Sequence, residues 1–299
     1  MCGIAGIFLK TSSLEPKLGS MLSEMLTTLS NRGPDSAGFA VYGKGQNNLV
    51  KLTVRLPPGP DIADAVISAA KEFSIEVPTF HANHAVVSVP GHKLQAMQSF
   101  FRESPSLDGI EIVGSGTRME IYKDVGLPAD VAKRFDLPLM SGTHAIGHTR
   151  MATESAVTTK GAHPFSTGTD QCLVHNGSLS NHNGVRRKLQ REGFSFETDN
   201  DTEVAAGYLT WRMREGDSLK EALTHSLKDL DGFYTFVVAT ESGFAVLRDA
   251  VACKPAVMAE TDEYVAFGSE YSTLAGLPGV VAARIFEPEP ATVYAWERD

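Results

Sequence analysis

A cysteine stands directly after the initiator methionine. Cysteine is small, so Met1 can be removed, which would place a thiol and a free α-amine on Cys2. A thiol ordinarily titrates near about 8.5 and an α-amine near about 7.7–8.0, so the amine can act as the base for its own nucleophile. Thiolate attack on a carboxamide gives a tetrahedral intermediate and then a thioester, with release of ammonia. The alternative is that this cysteine follows Met1 by coincidence.

An arginine and a threonine follow a predicted strand in the segment Gly147-His-Thr-Arg150-Met-Ala-Thr153. An arginine at a strand end can bind a carboxylate through two parallel hydrogen bonds. The hydroxyl of Thr153 can contribute a further bond to the same group. The alternative is that Arg150 is an ordinary surface residue after a strand.

Asn176 and Gly177 form an Asn-Gly pair after His175. A side-chain amide and the next backbone N–H together make a good oxyanion hole. Glycine at the second position lets the backbone come close to the reacting carbon. The alternative is a plain turn, since Asn-Gly is a common turn dipeptide.

Asp201 begins a predicted helix, in the segment Asn200-Asp-Thr-Glu203. A carboxylate at this place could bind the α-ammonium group of an amino acid. The alternative is a helix cap or a first-turn acid that the helix dipole favours.

The elements that must position these residues indicate an α+β fold. Residues 2–8 are typical of a buried strand, and apolar residues at helical spacing predict a helix over 15–29. Ser180 is expected to cap a helix through Gln190, and two further helices are predicted over 202–214 and 219–230. Many short strands follow to residue 295. This order favours antiparallel sheets covered by helices.

Residues 44–140 differ in character and predict a small α+β subdomain inserted within one domain over 1–299. Strand-like and helix-like segments alternate there. Residues 109–113 and 118–122 flank Gly114-Ser-Gly116 and predict a hairpin.

Composition excludes several classes of protein. The formal net charge is −9 and there is no block of lysine and arginine, so nucleic-acid binding is not expected. No apolar run approaches the ~20 residues that cross a bilayer, and no signal peptide is visible, so we expect a cytoplasmic protein without membrane attachment. Cys172 and Cys253 are expected to be buried and inert, because they lie in apolar surroundings. No metal site is expected, because the histidines lack further ligands at suitable spacing.

Taken together, the sequence resembles the class II glutamine amidotransferases, which are N-terminal-nucleophile hydrolases. The resemblance runs from residue 1 to about 275, apart from 44–140. It rests on six segments in the order of the family: Met1-Cys-Gly-Ile-Ala-Gly6, Asn31-Arg-Gly-Pro-Asp35, Gly147-His-Thr-Arg-Met-Ala-Thr153, Ala162-His-Pro164, His175-Asn-Gly177 and Asp201-Thr-Glu203.

The resemblance implies the four-layer αββα sandwich for residues 1–299 and glutamine as substrate. It implies that Cys2 is the catalytic nucleophile and that Asn176 and Gly177 form the oxyanion hole. The residues that it implies for substrate binding are Arg150 with Thr153 for the α-carboxylate, Asp201 for the α-ammonium group, Arg32 and Gly33 in a loop over the site, and His163 near the site without an assigned role.

Two departures from the family bear on partners. The chain ends where the glutaminase domain should end, so we expect no synthase domain to follow, and the 44–140 stretch is longer than in compact members. Both resemble the separate amidotransferase subunit of glutamate-synthase-like complexes such as N-methylglutamate synthase. No cofactor is expected on this chain, whereas FMN and an iron–sulfur cluster are implied for partner subunits.

Two other functions remain as alternatives. The first is a free amidohydrolase that acts on another amide, against which the pair of Arg150 and Asp201 argues, because together they match the two charged ends of an α-amino acid. The second is a non-catalytic regulatory or binding subunit of such a complex. The intact nucleophile and oxyanion hole argue against the second.

Overall fold

The computed structural model describes residues 1–46, 48–152 and 156–298. The strands in the described residues are β1 (Gly3–Leu9), β2 (Ser36–Tyr42), β3 (Leu49–Arg55), β4 (Thr79–His81), β5 (His84–Pro90), β6 (Glu111–Gly116), β7 (Met119–Val125), β8 (His144–Arg150), β9 (Phe165–Gly168), β10 (Gln171–Leu179), β11 (Gly232–Ala239), β12 (Gly243–Arg248), β13 (Val257–Glu260), β14 (Tyr264–Gly268), β15 (Arg284–Phe286) and β16 (Val293–Glu297). The α-helices there are α1 (Leu18–Thr28), α2 (Ile62–Glu72), α3 (Leu94–Glu103), α4 (Pro128–Arg134), α5 (His182–Arg191), α6 (Asp201–Arg214) and α7 (Leu219–Asp229).

Two antiparallel sheets form the centre of the molecule. One has seven strands in the order β15-β13-β14-β1-β8-β2-β7, and the other has five in the order β16-β12-β11-β10-β9. Strand β1 lies in the middle of the first sheet, between β14 and β8, so the residues at its start are surrounded by neighbouring strands.

The alternation of side chains along the strands divides the core into layers. On β1, Ile4 and Phe8 face the five-stranded sheet, whereas Ala5, Ile7 and Leu9 face the opposite way. The first set joins a buried cluster between the two sheets, and the second packs under α1 and α4. Successive side chains of a strand point to opposite faces of its sheet. Because both sets are apolar here, each sheet has two apolar faces.

The outer face of the five-stranded sheet is covered by α5, α6 and α7. Leu173, Phe236 and Leu247 of the sheet pack there against Tyr208 and Leu223 of the helices. Helices therefore lie outside both sheets. This arrangement confirms the predicted α+β class and the four-layer αββα sandwich.

A third sheet lies within the predicted insertion. It has four strands in the order β4-β5-β3-β6, and its core packs against α2 and α3. Strand β7 and helix α4 also fall within 44–140, but they belong to the seven-stranded sheet and its helical layer. The limits of the inserted subdomain stay a prediction.

The predicted hairpin around Gly114-Ser-Gly116 is wrong. Strand β6 includes these residues and pairs with β3, whereas β7 pairs with β2 in the other sheet. The chain crosses from one sheet to the next at residues 117–118, because the backbone N–H groups of Thr117, Arg118 and Met119 all donate to the carboxylate of Asp170.

The prediction that Ser180 caps the next helix is wrong by one residue: the helix begins at His182, with Asn181 at the capping position. The backbone N–H of Ser180 donates to the carbonyl of Asp231, across 2.7 Å, and so continues the contact between β10 and the start of β11. None of the helices in the described residues is long and apolar enough to cross a membrane.

Candidate active site

Side-chain alternation brings the predicted catalytic residues to one end of the space between the two large sheets. The even-numbered residues of β1 and β8 face the five-stranded sheet. Cys2, just before β1, and Arg150, the last residue of β8, therefore share that face. Since the two strands are antiparallel, the start of one lies beside the end of the other. Asn176, on β10, faces them from the opposite sheet.

The sulfur of Cys2 is half-buried against the chain that leaves β8. The backbone N–H of Met151 donates to Sγ across 3.4 Å, and Sγ lies 3.7 Å from the carbonyl oxygen of the same residue. Met1 is 70% exposed, so it is accessible to removal.

The backbone carbonyl of Cys2 accepts hydrogen bonds from two predicted site residues. Arg32 donates from Nε across 3.2 Å, and Asn176 donates from Nδ2 across 3.3 Å. Arg32 also forms an ion pair with Glu270, at 3.2 Å. The structure therefore places Arg32 beside the nucleophile, and its guanidinium ties the start of β1 to the residues that follow β14.

The turn that contains Gly33 packs directly on the backbone at the end of β8. A Cβ atom at Gly33 would lie 2.3–2.5 Å from backbone atoms of Thr149 and Arg150, so only glycine fits. Asp35 extends the contact: its N–H donates to the carbonyl of Arg150 across 3.1 Å, and its carboxylate accepts from the N–H of Ala152 across 2.8 Å. This turn fixes where the chain goes after Arg150.

Arg150 is buried, and its guanidinium lies close to the loop that follows. Nη1 donates to the carbonyl of Ala156 across 3.4 Å, and the same nitrogen would lie 3.7 Å from a Cβ at Gly161. The guanidinium of Arg150 is thus held at the same end of the sheet as Cys2, as a role in binding the substrate carboxylate requires. Thr153 lies outside the described residues.

Asn176 has its side-chain amide held at both ends. Nδ2 contacts the Cys2 carbonyl and the Ser269 hydroxyl, each at 3.3 Å, while Oδ1 accepts from Nε2 of His148 across 3.0 Å. Two contacts of 3.3 Å are longer than the usual 2.9–3.0 Å and leave the N–H groups available to a stronger acceptor.

Gly177 has a backbone conformation that other residues rarely adopt, with φ of 144°. A Cβ at this position would lie 2.0 Å from the carbonyl oxygen of Phe233 on β11. The Asn-Gly pair is therefore part of strand β10 rather than a turn between elements. Glycine is required there so that β11 can pass closely.

Asp201 is the first residue of α6, and the side chain of Asn200 caps this helix by accepting from the N–H of Thr202. One carboxylate oxygen of Asp201 accepts from the backbone N–H of Leu179 across 2.9 Å. The other lies 3.8 Å from Nδ1 of His175. The carboxylate thus stands at the end of β10, two residues beyond Gly177, and retains some exposure to solvent for a ligand.

His163 lies behind the site rather than in it. Its Nδ1 accepts from the N–H of His175 across 3.4 Å, and its Nε2 lies 3.3 Å from the hydroxyl of Thr202. The same hydroxyl is 3.0 Å from Nδ1 of His175, and the ring of His163 stacks on that of His148 with centroids 4.0 Å apart. No contact with Cys2 is formed among the described residues, which suits a supporting role.

Burial keeps these three histidines neutral. Removal from water lowers the pKa of His148 to about 3 and lowers the pKa values of His163 and His175 below their ordinary range. For His175 the nearby carboxylate of Asp201 opposes the shift. Within the described ranges, no group of three or more potential ligands could hold a metal ion.

Sequence reasoning assigned no role to His148, Ser269 or Thr202. His148 could have been found, because it stands two residues before Arg150 on a strand and so shares its face. Ser269 and Thr202 carry no such signal, since their contacts depend on how distant elements meet.

Two solved structures share this fold along the whole chain. The allosteric regulatory enzyme of purine biosynthesis aligns with a TM-score of 0.65 at 21% identity, over 99% of this chain and 47% of that one. Glutamine phosphoribosylpyrophosphate amidotransferase from B. subtilis aligns with a TM-score of 0.62 at 20% identity, over 99% and 49%. The chain spans about half the length of these enzymes. The fold is therefore that of the class II, N-terminal-nucleophile amidotransferases.

Sequence comparison gives the family. A family model described as a glutamine amidotransferase domain matches residues 148–276. The glutamine amidotransferase-like protein GlxB of Rhizobium meliloti (strain 1021) is 58% identical over 298 residues, which cover 99% of this chain and 98% of that protein. This chain belongs to the glutamine amidotransferase family.

Proposed function

We propose that this chain hydrolyses the side-chain amide of glutamine at Cys2 and delivers the ammonia to a separate synthase subunit. The observation that carries the proposal is the position of Asn176. Its Nδ2 lies 3.3 Å from the carbonyl oxygen of Cys2, so a hydrogen-bond donor from one sheet stands directly beside the nucleophile of the other.

Removal of Met1 gives Cys2 a free amine, which takes the thiol proton. The thiolate attacks the carbonyl carbon of the glutamine side chain, and the oxygen becomes an oxyanion bound by Nδ2–H of Asn176 and the N–H of Gly177. The intermediate collapses, the C–N bond breaks, and ammonia leaves with the proton from the amine. Water, deprotonated by the same amine, then cleaves the thioester to give glutamate.

Charges at the two ends of the site match an α-amino acid. The guanidinium of Arg150 can accept the α-carboxylate through two hydrogen bonds, and the carboxylate of Asp201 can bind the α-ammonium group. Together they favour free glutamine over amides that lack one charged end.

The catalytic part of the proposal is tested by measuring the glutamate and ammonia that the chain releases from glutamine. The wild-type chain should hydrolyse glutamine, and Cys2→Ala should reduce the rate by roughly 10³-fold or more. Glutaramic acid, which has the amide and the carboxylate but no α-ammonium group, should be a poor substrate. Equal turnover of glutaramic acid would favour the free amidohydrolase, and turnover unaffected by Cys2→Ala would remove the nucleophile assignment.

An apolar rim supports the existence of a protein partner. Exposed apolar side chains stand on chain segments next to the site: Met151, Val157, Phe233, Val251 and Tyr271 are each 40–72% exposed. Met151 contacts the sulfur of Cys2, and the backbone of Phe233 packs against Gly177. Exposed apolar residues grouped around a site are typical of protein contacts. Ammonia released there would be shielded from water by a partner seated on this rim.

The class of partner is inferred from the sequence resemblance. It is a set of synthase subunits of a glutamate-synthase-like complex such as N-methylglutamate synthase. FMN and an iron–sulfur cluster would then be held by partner subunits, and this chain would need no cofactor. A cytoplasmic setting, in which thiols stay reduced, fits a free Cys2.

The partner part is tested by purifying the tagged chain from its own cells. The proposal expects a co-purified flavoprotein that increases the glutaminase rate of this chain. Val251→Asp, on the apolar rim, should abolish this increase while leaving the basal rate of the isolated chain unchanged. A co-purified protein without effect on the rate, or an increase that Val251→Asp does not alter, would contradict the assignment.

A further inference from the structure

His148 joins the two large sheets at the base of the site. It lies on β8 and faces inward, and only 1% of its surface is exposed. Its Nε2 is 3.1 Å from the carbonyl oxygen of His175 and 3.0 Å from Oδ1 of Asn176. A side chain of the seven-stranded sheet thus contacts both residues of β10 that precede Gly177.

The carbonyl of His175 determines which ring nitrogen of His148 carries the proton. A carbonyl oxygen accepts hydrogen bonds and cannot donate them, so Nε2 must carry the hydrogen for the 3.1 Å contact to be favourable. The same N–H then faces the side chain of Asn176. The Asn176 atom that faces it must be the acceptor, Oδ1, and the amide nitrogen is directed to the other side.

The contacts on the other side agree with this orientation. The amide nitrogen of Asn176 meets the carbonyl oxygen of Cys2, which is another group that only accepts. It also meets the hydroxyl of Ser269, which already accepts from the N–H of Ile4 across 2.8 Å. A flipped amide would set oxygen against oxygen at Cys2 and N–H against N–H at His148.

We propose that His148 is a positioning residue: its Nε2–H holds the side-chain amide of Asn176 in the one orientation that directs N–H toward the oxyanion. This inference deepens the proposed function and rests on it for its role in catalysis. The flipped amide would place an oxygen lone pair where negative charge develops, so the benefit of His148 is greatest in the transition state.

The ring is suited to hold one orientation. Burial lowers its pKa to about 3, so it stays neutral at ordinary pH, and it stacks on His163 with an interplanar angle of 21°. Its Nδ1 has no hydrogen-bond partner among the described residues, so the ring makes its polar contacts through Nε2.

Steady-state kinetics of His148 variants test the inference. His148→Leu keeps much of the volume and removes the donor, and it should lower kcat for glutamine about 10²–10³-fold with KM changed less than about threefold. His148→Gln can present an amide N–H near the position of Nε2 and should recover most of kcat. His84→Leu is the matched control, since His84 is also fully buried but lies on β5 of the third sheet. It should leave kcat unchanged.

A double-mutant cycle separates positioning from general structural support. If His148 acts only through Asn176, then His148→Leu should cause no further loss in an Asn176→Ala background. Losses that multiply, or a rise in KM that accounts for the effect of His148→Leu, would overturn the inference. The cycle applies once the wild-type chain hydrolyses glutamine.

A measurement on the wild-type chain does not depend on activity. Nitrogen-15 chemical shifts of the His148 ring should show a neutral imidazole with the proton on Nε2 and an unprotonated Nδ1 from pH 6 to 8. A proton on Nδ1 instead would overturn the inference even if glutamine is hydrolysed. Absence of glutaminase activity with the expected ring state would count against the proposed function alone.

Discussion

The side-chain amide of Asn176 donates to the backbone carbonyl of Cys2 across 3.3 Å, although the two residues are 174 positions apart in sequence. The bond connects the start of β1 in one sheet with β10 in the other. It places an amide donor beside the nucleophile without any contribution from a loop. Strands are rigid elements, so the site has its donor in place before substrate binds.

Gly177→Ala should destabilise the protein and disturb this donor. The position has φ of 144°, and the new Cβ would lie 2.0 Å from the carbonyl oxygen of Phe233. We expect a loss of at least about 2 kcal/mol in the free energy of unfolding, measured by denaturant titration. The control is Gly184→Ala in α5, where nothing lies within 4 Å of the added Cβ. It should change stability by less than about 1 kcal/mol. Equal effects of the two substitutions would contradict the close approach of β11.

Asp201→Asn should weaken glutamine binding. The carboxylate is kept in place by the N–H of Leu179, and an amide in the same position would lack the charge that binds the α-ammonium group. We expect KM for glutamine to rise about 10–100-fold, since hydrogen bonds to charged groups contribute about 1.5–3 kcal/mol. Asp199→Asn, at an exposed position two residues earlier, is the control and should leave KM unchanged. A normal KM for Asp201→Asn would remove this residue from the binding site.

Acid should destabilise the protein through its buried histidines. Burial lowers the pKa values of His84, His144 and His148 to about 3, whereas each titrates near about 6.5 in the unfolded chain. Their contribution to stability is therefore fully present above about pH 6.5 and is lost as pH falls toward 3.

Between about pH 6 and 5 the carboxylates titrate little, so this window reports the histidines. The free energy of unfolding should fall by up to ~1.4 kcal/mol per pH unit for each buried histidine as the unfolded chain takes up protons. His84→Leu removes one such group and should reduce this slope by up to ~1.4 kcal/mol per pH unit, which corresponds to the uptake of one proton. A slope unchanged by His84→Leu would show that this ring is protonated in the folded state.

Much of the site could be predicted from residue types and spacing. Cys2 directly precedes β1 and Arg150 ends β8, and the alternation of side chains places both on one face of the seven-stranded sheet. Asn176 lies on β10 of the opposite sheet. Because side chains alternate with a period of two, a sequence that indicates the strands also indicates the face. The structure brings these three residues to one end of the sandwich.

Other features depend on contacts that sequence spacing does not encode. Gly114-Ser-Gly116 has the composition of a turn, yet Asp170, which lies far away in sequence, directs the chain from one sheet to another. The network of His148, His163 and Thr202 forms only where two sheets and α6 meet. Tertiary contacts decide which sheet a strand joins. They also decide which buried polar groups meet.

The intact mass of the purified chain, before and after treatment with a glutamine-like diazoketone, tests the central claim most directly. The account predicts a starting mass without Met1 and a single adduct at Cys2 that excess glutamine prevents. Cys172 is buried as expected, whereas the expected burial of Cys253 is wrong, because this residue is exposed. Neither thiol lies in the site, so both should stay unmodified and serve as internal controls. A folded chain that has lost Met1 and remains unlabelled at Cys2, or labelling at Cys2 that excess glutamine does not prevent, would contradict the assignment of Cys2 as the glutaminase nucleophile.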